Sequence, residues 1–157
     1  MSPETHRFAD DGAIPNSPLP VLVYHGVEEP EARFARHGWG GAWRDGIFDF
    51  HHFHSTAHEV LGILAGRASV QLGGPSGKRF EVGPGDVLVL PAGTGHRRLD
   101  SSAELLVAGA YPAGQSWDLR RGDPGEHDEV LANIAAVALP EADPVLGADG
   151  PLVELWR

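Results

Sequence analysis

The chain of 157 residues contains no cysteine, and this absence excludes several kinds of site. Without thiols there is no disulfide, no thiolate nucleophile, no iron–sulfur cluster and no cysteine zinc site. Any metal ion that the chain holds must therefore be bound through nitrogen and oxygen atoms, which imidazoles and carboxylates supply.

Positive charge is also scarce. Lys and Arg total 12 against 22 Asp and Glu, which gives a formal net charge of −10. An acidic chain opposes the counterion release that drives nucleic-acid binding, and no basic stripe compensates for it. We therefore expect neither nucleic acid nor a membrane as a partner. The absence of a helix-turn-helix segment likewise disfavours a DNA-binding regulator.

Long apolar runs are missing as well. The first residues, MSPETHRFADDGAIPN, lack the basic start and apolar core of a secretion signal, and no apolar run reaches the length that crosses a bilayer. These features predict a cytoplasmic protein. A hydrophobic content of 41% without a long polar tract indicates one globular domain over residues 1–157.

Glycine and proline, by contrast, are abundant, and they separate short β-branched and apolar runs. This punctuation is typical of an all-β barrel or sandwich with tight turns. It predicts strands at 21–24, 47–54, 59–64, 68–72, 79–82, 86–90, 96–99, 104–111 and 152–156. Helices are expected at 30–37, where Glu31 suits the positive end of the helix dipole, and as a short turn around 129–134.

The most informative stretch contains His52 and His54, two residues apart in a predicted strand. Side chains alternate along a strand, so both imidazoles face the same way and form half of a metal site. A third histidine and a carboxylate from elsewhere in the chain would complete the site, because divalent ions accept both ligand types. His96 and Glu59 are the natural candidates.

The assignment of Glu59 depends on a break in the strand. Glu59 lies five residues after His54, and in an unbroken strand an odd spacing would put it on the opposite face. Ser55 and Thr56 favour a turn, because their hydroxyls bond readily to local backbone. With the break, Glu59 joins the site and His58 faces away; without it, His58 replaces Glu59. We favour the first arrangement, since an apolar run typical of an outgoing hairpin strand follows Glu59.

Other residues near this stretch have more ordinary interpretations. His51 and His58 fall on the other face, where we expect them to pack structurally or to hold the orientation of a metal ligand. Aromatic residues also crowd the region, and core or subunit contact is a more common role for them than a substrate platform. These residues are Trp39, Trp43, Phe48, Phe50 and Phe53.

The same stretch resembles the first sequence motif of the cupin superfamily. That motif has a glycine, five residues, His-x-His, three or four residues, Glu, six residues and a second glycine. Every position is matched in this chain. The matching residues are Gly46, His52, His54, Glu59 and Gly66.

A second segment resembles the second cupin motif, in which a glycine is followed after five residues by Pro-x-Gly, two residues, His, three residues and Asn. Gly85, Pro91, Gly93 and His96 match it, and Asp100 stands in place of the asparagine. The asparagine is a turn and packing position in the family pattern, so this departure does not touch the ligands.

The resemblance covers nearly the whole chain and is closest to the YjlB-like group of small bacterial cupins. It implies an all-β, double-stranded β-helix (jelly-roll) barrel with one or two short helices. The barrel core would occupy about 45–112, between an N-terminal extension of about 1–18 and a C-terminal extension of about 113–157. It also implies a homodimer, because cupins commonly bury outer sheet faces between subunits.

For the site, the resemblance implies one divalent ion, Fe, Mn, Ni or Zn, bound by four protein ligands. These ligands are His52, His54, Glu59 and His96. A six-coordinate ion would keep two positions for a small-molecule ligand, which suggests a metal-dependent enzyme, either a dioxygenase-like oxidoreductase or an isomerase. The alternative is a non-catalytic module that binds or senses a small ligand. The complete ligand set favours the enzyme, whereas the lack of an evident general acid or base opposes it.

Overall fold

Nine strands form two antiparallel sheets in the computed structural model, which describes residues 1–157. The strands are β1 (Glu4–His6), β2 (Val21–Tyr24), β3 (Trp39–Asp45), β4 (Glu59–Ala65), β5 (Ala68–Leu72), β6 (Lys78–Val82), β7 (Val87–Leu90), β8 (His96–Ser101) and β9 (Leu106–Pro112). The larger sheet has the order β1-β2-β7-β4-β9-β3 and the smaller one β6-β5-β8. This arrangement confirms the predicted all-β jelly-roll fold.

Alternating side chains of the larger sheet fill two layers. In β7, Leu88 and Leu90 face the barrel interior, where they pack with residues of both sheets. Val87 and Val89 point outward into a second apolar cluster. Because both faces of this strand are buried, its sequence is a continuous apolar run rather than an alternation of polar and apolar residues.

The outer layer is made of helices and the C-terminal segment. The helices are α1 (Pro30–Arg36), α2 (His127–Ala136) and α3 (Pro151–Leu155). Phe34 of α1 and Leu152 of α3 pack in the cluster on the outer face of the larger sheet. Gly62 of β4 permits the close approach of α1, because a Cβ there would lie 3.1 Å from a ring atom of Phe34.

The chain before Gly46 contributes three strands to the larger sheet. At one edge β1 pairs with β2, with Glu4 opposite Val23. At the other edge β3 pairs with β9. The division into a barrel core at about 45–112 and two extensions stays a prediction.

The helices at 30–37 and around 129–134 are confirmed as α1 and α2. The strand predicted at 152–156 is wrong, because this segment forms α3. Pro151 suits the first turn of a helix, and the buried pair Leu152 and Trp156 has the four-residue spacing of one helix face. The fold therefore has three helices rather than one or two.

The strand predicted at 47–54 is also wrong. Only His52 and Phe53 form isolated bridges, and the regular strand of this region is β3, which ends at Asp45. The aromatic residues gave this segment the composition of a strand, but Phe48 is half exposed and the backbone runs irregularly. The other seven predicted strands are confirmed to within two residues at either end.

The helices contain 7, 10 and 5 residues. None combines the length and the apolar character needed to span a membrane.

Candidate metal centre

Three buried histidines converge inside the barrel. One ring nitrogen each from His52, His54 and His96 lies within 4.8 Å of the others, and the three residues are only 3–7% exposed. The backbone groups of His52 and His96 also bond to each other, at 2.9 and 3.2 Å, which brings the two motifs together. This triad could hold a metal ion.

Glu59 lies beside the triad. Its Oε1 atom is 3.4 Å from His54 Nε2 and 3.3 Å from His96 Nε2. The predicted break is present, because Ser55 and Thr56 form a bend and β4 begins at Glu59. The bend corrects the odd spacing and directs the carboxylate into the barrel.

The second ring nitrogen of each triad histidine is held by the main chain. Each Nδ1 bonds to a backbone carbonyl, and the acceptors for His52, His54 and His96 are the carbonyls of Phe50, Asp118 and Thr94, respectively. A carbonyl only accepts hydrogen bonds, so Nδ1 carries the proton and Nε2 keeps a free lone pair. A metal-binding histidine needs this tautomer and this fixed orientation.

The electrostatics of the cluster call for a cation. Burial and the neighbouring His96 lower the pKa of His52 to about 3, so His52 is neutral. Burial raises the pKa of Glu59, but its contacts with His54 and His96 outweigh this effect and lower the pKa well below its usual range. Imidazole nitrogens and an ionised carboxylate therefore meet in a buried space, where charge is poorly screened. This donor set fits a divalent first-row ion.

At His54, a proton competes with a metal ion for the Nε2 atom. Burial lowers the pKa of His54, but the contact with Glu59 outweighs it and raises the pKa above the ordinary value. In the metal-free protein a proton on Nε2 can thus pair with the carboxylate, and a metal ion must displace it.

The loop after β9 supports His54 through Asp118. The Asp118 carboxylate accepts the backbone N–H of Ser55 at 2.6 Å and Nε–H of Arg120 at 2.9 Å. Arg120 in turn bonds to Glu126 at 3.0 Å. This network fixes the loop whose carbonyl holds His54. No sequence motif indicates this network, because Asp118 lies 64 residues after His54.

The turn before His96 requires glycine. Gly93 has a φ of +96°, and a Cβ there would lie only 2.4 Å from the carbonyl oxygen of Asn16. Its N–H donates to the carbonyl of His54 at 2.8 Å. The Pro-x-Gly turn of the second motif therefore ties the two histidine segments together.

A cavity of about 770 Å³ contains the triad and Glu59. Its apolar and aromatic lining includes Trp43, Phe48, Leu105, Tyr111 and Trp117. The combination of apolar side chains with histidine, carboxylate and arginine groups suits a small organic molecule with polar groups. Of the aromatic residues expected in core or subunit contacts, Trp39 and Phe53 are buried, whereas Trp43 and Phe48 line this cavity; a subunit contact stays a prediction.

Tyr111 brings a hydroxyl group to the cavity. Trp43 Nε1 donates to the Tyr111 oxygen at 2.7 Å, so the hydroxyl proton is directed elsewhere, with the Glu59 carboxylate as a neighbouring acceptor. Burial raises the pKa of Tyr111 above its usual range, so the proton is retained. Gly109 makes room for the indole, since a Cβ there would lie 2.2 Å from it. Sequence reasoning missed this pair, because neither residue belongs to a motif.

His58 and His51 lie outside the triad. His58 is 2% exposed, its Nδ1 accepts the N–H of Ala92 at 2.9 Å, and its ring lies 4.8 Å from that of Trp156. His51 is half-buried, and its pKa is lowered by burial and by Arg97. Of the two alternatives for the fourth position, the structure brings Glu59 to the triad and turns His58 away.

Sequence comparison gives two matches. A family model described as a cupin domain matches residues 44–107. A protein of Bacillus subtilis (strain 168), described as uncharacterized protein YjlB, is 42% identical over 158 residues, which is 98% of this chain and 96% of that protein.

Solved structures are similar at much lower identity. A DUF861 family protein from Thermotoga maritima is 21% identical, with a TM-score of 0.38, over 59% of this chain and 98% of its own. Acireductone dioxygenase from Bacillus anthracis, with cadmium in its active centre, is 21% identical, with a TM-score of 0.42, over 57% of this chain and 60% of its own. Procruciferin, an 11S globulin from Brassica napus, is 18% identical, with a TM-score of 0.42, over 82% of this chain and 35% of its own. These values are too low to transfer an activity.

Proposed function

This chain belongs to the cupin superfamily, in the group of the Bacillus subtilis protein YjlB, and we propose that it is a metal-dependent enzyme acting on a small oxygen-bearing molecule. The observation that carries the proposal is the shared orientation of three imidazoles, each with Nδ1 on a carbonyl and Nε2 turned toward the others. One divalent ion, Fe, Mn, Ni or Zn, would be held by four ligands. They are His52, His54, Glu59 and His96.

An ion with four protein ligands can keep two positions for a substrate. When bound, it would supply a Lewis acid for a carbonyl or an enolate, or a centre for oxygen chemistry if it is iron or manganese. The surrounding cavity supports this function, because the apolar side chains in its lining limit bulk water and strengthen electrostatic contacts with the substrate. The proposed activity is therefore oxygenase-like or isomerase-like.

Tyr111 supports an enzyme over a binding module. Its hydroxyl accepts a hydrogen bond from Trp43 and keeps its own proton. That proton can be donated to a substrate oxygen on which negative charge develops. The hydroxyl would stabilise that charge by a hydrogen bond, because its raised pKa keeps the proton on Tyr111. A module that only binds or senses a ligand is the alternative, and turnover distinguishes the two.

The first test is elemental analysis of protein purified without an affinity tag. Glu59→Gln keeps the size of the side chain and removes its charge, while Glu104→Gln is the matched change at an exposed glutamate. We expect a near-stoichiometric metal ion in the parent and in Glu104→Gln, and a large loss in Glu59→Gln. A parent without metal, even after reconstitution with each of the four ions, would contradict the proposal.

Turnover is then measured on the metal-loaded protein with a panel of small hydroxy acids and oxo acids. Oxygen uptake indicates an oxygenase, and rearranged product without oxygen uptake indicates an isomerase. A bound metal with neither signal favours the ligand-binding module. The homodimer, the cytoplasmic location and the absence of nucleic-acid and membrane partners stay predictions within this proposal.

A further inference from the structure

Arg98 shares the cavity with the metal centre. It follows His96 by two residues on β8, so strand geometry turns both side chains to the same face. Two residues of strand span about 7 Å, and Arg98 lines the same cavity as the triad. A positive group therefore stands close to the proposed metal site without being part of it.

The guanidinium group has no carboxylate partner. Its Nε donates to the carbonyl of Ile47 at 3.2 Å, and none of the ion pairs in the structure involves Arg98. The neighbouring Arg44, which also lines the cavity, is paired with Glu31 at 2.6 Å. The carboxylate of Asp45 is exposed and accepts the N–H of Gly46. Arg98 is thus held by one bond and keeps its two terminal nitrogens for another acceptor.

We propose that Arg98 binds a carboxylate of the substrate, which makes the substrate class small organic acids with a second, oxygen-bearing group directed at the triad. This inference rests on the proposed metal function. A guanidinium fork matches the two oxygens of a carboxylate, and a half-buried cation attracts an anion more strongly than an exposed one.

The charge of the whole chain strengthens this assignment. At −10 the protein repels anions on average, so an acid substrate needs a local positive group to enter the cavity. Phe48 and Leu105 also line the cavity and offer apolar contact for the carbon atoms between the two polar ends of such a molecule. The cavity therefore combines the features needed for a short acid with two polar ends.

The test compares ligands that differ only in the group that Arg98 would bind. Lactate has only an α-hydroxy acid head, which is too short to reach both the triad and Arg98, whereas malate and the longer 2-hydroxyglutarate add a second carboxylate at the other end. Their affinities are measured by calorimetry on metal-loaded parent, Arg98→Gln and Arg97→Gln. Arg97 is the matched control, because it carries the same charge on the opposite face of β8.

We expect at least one dicarboxylate to bind the parent and Arg97→Gln at least about tenfold more tightly than lactate, as one charge-assisted pair predicts. In Arg98→Gln the preference should disappear, while lactate affinity and metal content stay unchanged. Metal content is measured first. A parent without metal overturns the proposed function itself. Bound metal without a dicarboxylate preference, or with a preference that survives Arg98→Gln, overturns the Arg98 assignment alone.

Discussion

His54 and His58 are four residues apart and similarly buried, at 7% and 2% exposure, yet their surroundings differ in one decisive respect. His54 Nδ1 donates to a carbonyl, which leaves Nε2 as a free lone pair facing Glu59. His58 Nδ1 accepts the N–H of Ala92, so its proton must sit on Nε2. Burial alone therefore does not mark a metal ligand; the direction of the Nδ1 hydrogen bond does.

The two histidines also differ in what their removal should cost. His58 holds the N–H of Ala92, inside the turn of the second motif, and packs against Trp156, so it contributes to folding. A triad histidine in the metal-free protein instead faces other lone pairs and a carboxylate. Replacing it should remove a proposed metal ligand, and the main effect should be on metal affinity rather than on folding.

The largest effect should come from His96→Ala set against His58→Ala. We expect His96→Ala to weaken metal affinity by more than about 100-fold, since even partners behind the ligands cost 10- to 100-fold, and to leave the metal-free protein folded. His58→Ala should bind metal normally but lose about 2 kcal/mol of unfolding free energy, because the N–H of Ala92 is left unpaired. Competition with a chelator and chemical denaturation measure the two effects. Equal loss of metal in both variants would contradict the distinction.

His58 and His54 should also respond differently when the pH is lowered. Burial lowers the pKa of His58 to about 4, against about 6.5 in the unfolded chain. The unfolded state therefore binds more protons between these values, and stability is lost as the pH falls from 6.5 toward 4, by on the order of 3 kcal/mol. His58→Gln should make this part of the stability profile less steep, with the contribution of the buried His52 remaining, as measured by denaturation of metal-free protein at successive pH values. An unchanged profile would mean that His58 is not buried in its neutral form.

The pH dependence of the metal affinity should be set by His54 rather than by His58. The pKa of His54 is raised by Glu59, so a proton occupies Nε2 as the pH falls through that value, and affinity should then drop about tenfold per pH unit. In His58→Gln this dependence should persist unchanged. Its disappearance would indicate that the two histidines are coupled rather than independent.

The site was more predictable than much of the chain around it. The spacing of His52, His54 and Glu59 reflects local geometry, namely an extended segment with alternating side chains and a bend at Ser55, whereas His96 was identified by its match to the second cupin motif. Those segments therefore predict which side chains meet. Whether the four residues bind metal stays a prediction until an ion is measured.

The remaining features depend on contacts between distant parts of the chain. Trp43 and Tyr111 are 68 residues apart, and only the fold makes one orient the other. The strand predicted at 152–156 is wrong because a short apolar run does not show whether its periodicity is that of a strand or of a helix. Pro151 and packing against the outer face of the larger sheet favour a helix there. The role of Arg98 was equally hidden, since an unpaired charge is recognised only when its surroundings are known.

The smallest effect that we predict concerns what fixes the His54 tautomer. The carbonyl of Asp118 belongs to the backbone, so a substitution does not remove it. The Asp118 side chain, however, anchors the loop by accepting hydrogen bonds from Ser55 and Arg120. Asp118→Ala should loosen that loop and weaken metal affinity about tenfold, the lower end for a partner behind a ligand. Asp118→Asn should keep part of the metal affinity that Asp118→Ala loses, because the amide oxygen can still accept the N–H of Ser55.

Asp149→Ala is the matched control, because it removes an exposed aspartate far from the network. Affinities are compared by titration at a pH where His54 is neutral, so that a change reports the position of the ring rather than its charge. If Asp118→Ala and Asp149→Ala bind metal equally well, the Asp118 side chain does not hold the loop in place. The tautomer of His54 would then depend on the backbone alone, and the difference between His54 and His58 would be set entirely by the path of the main chain.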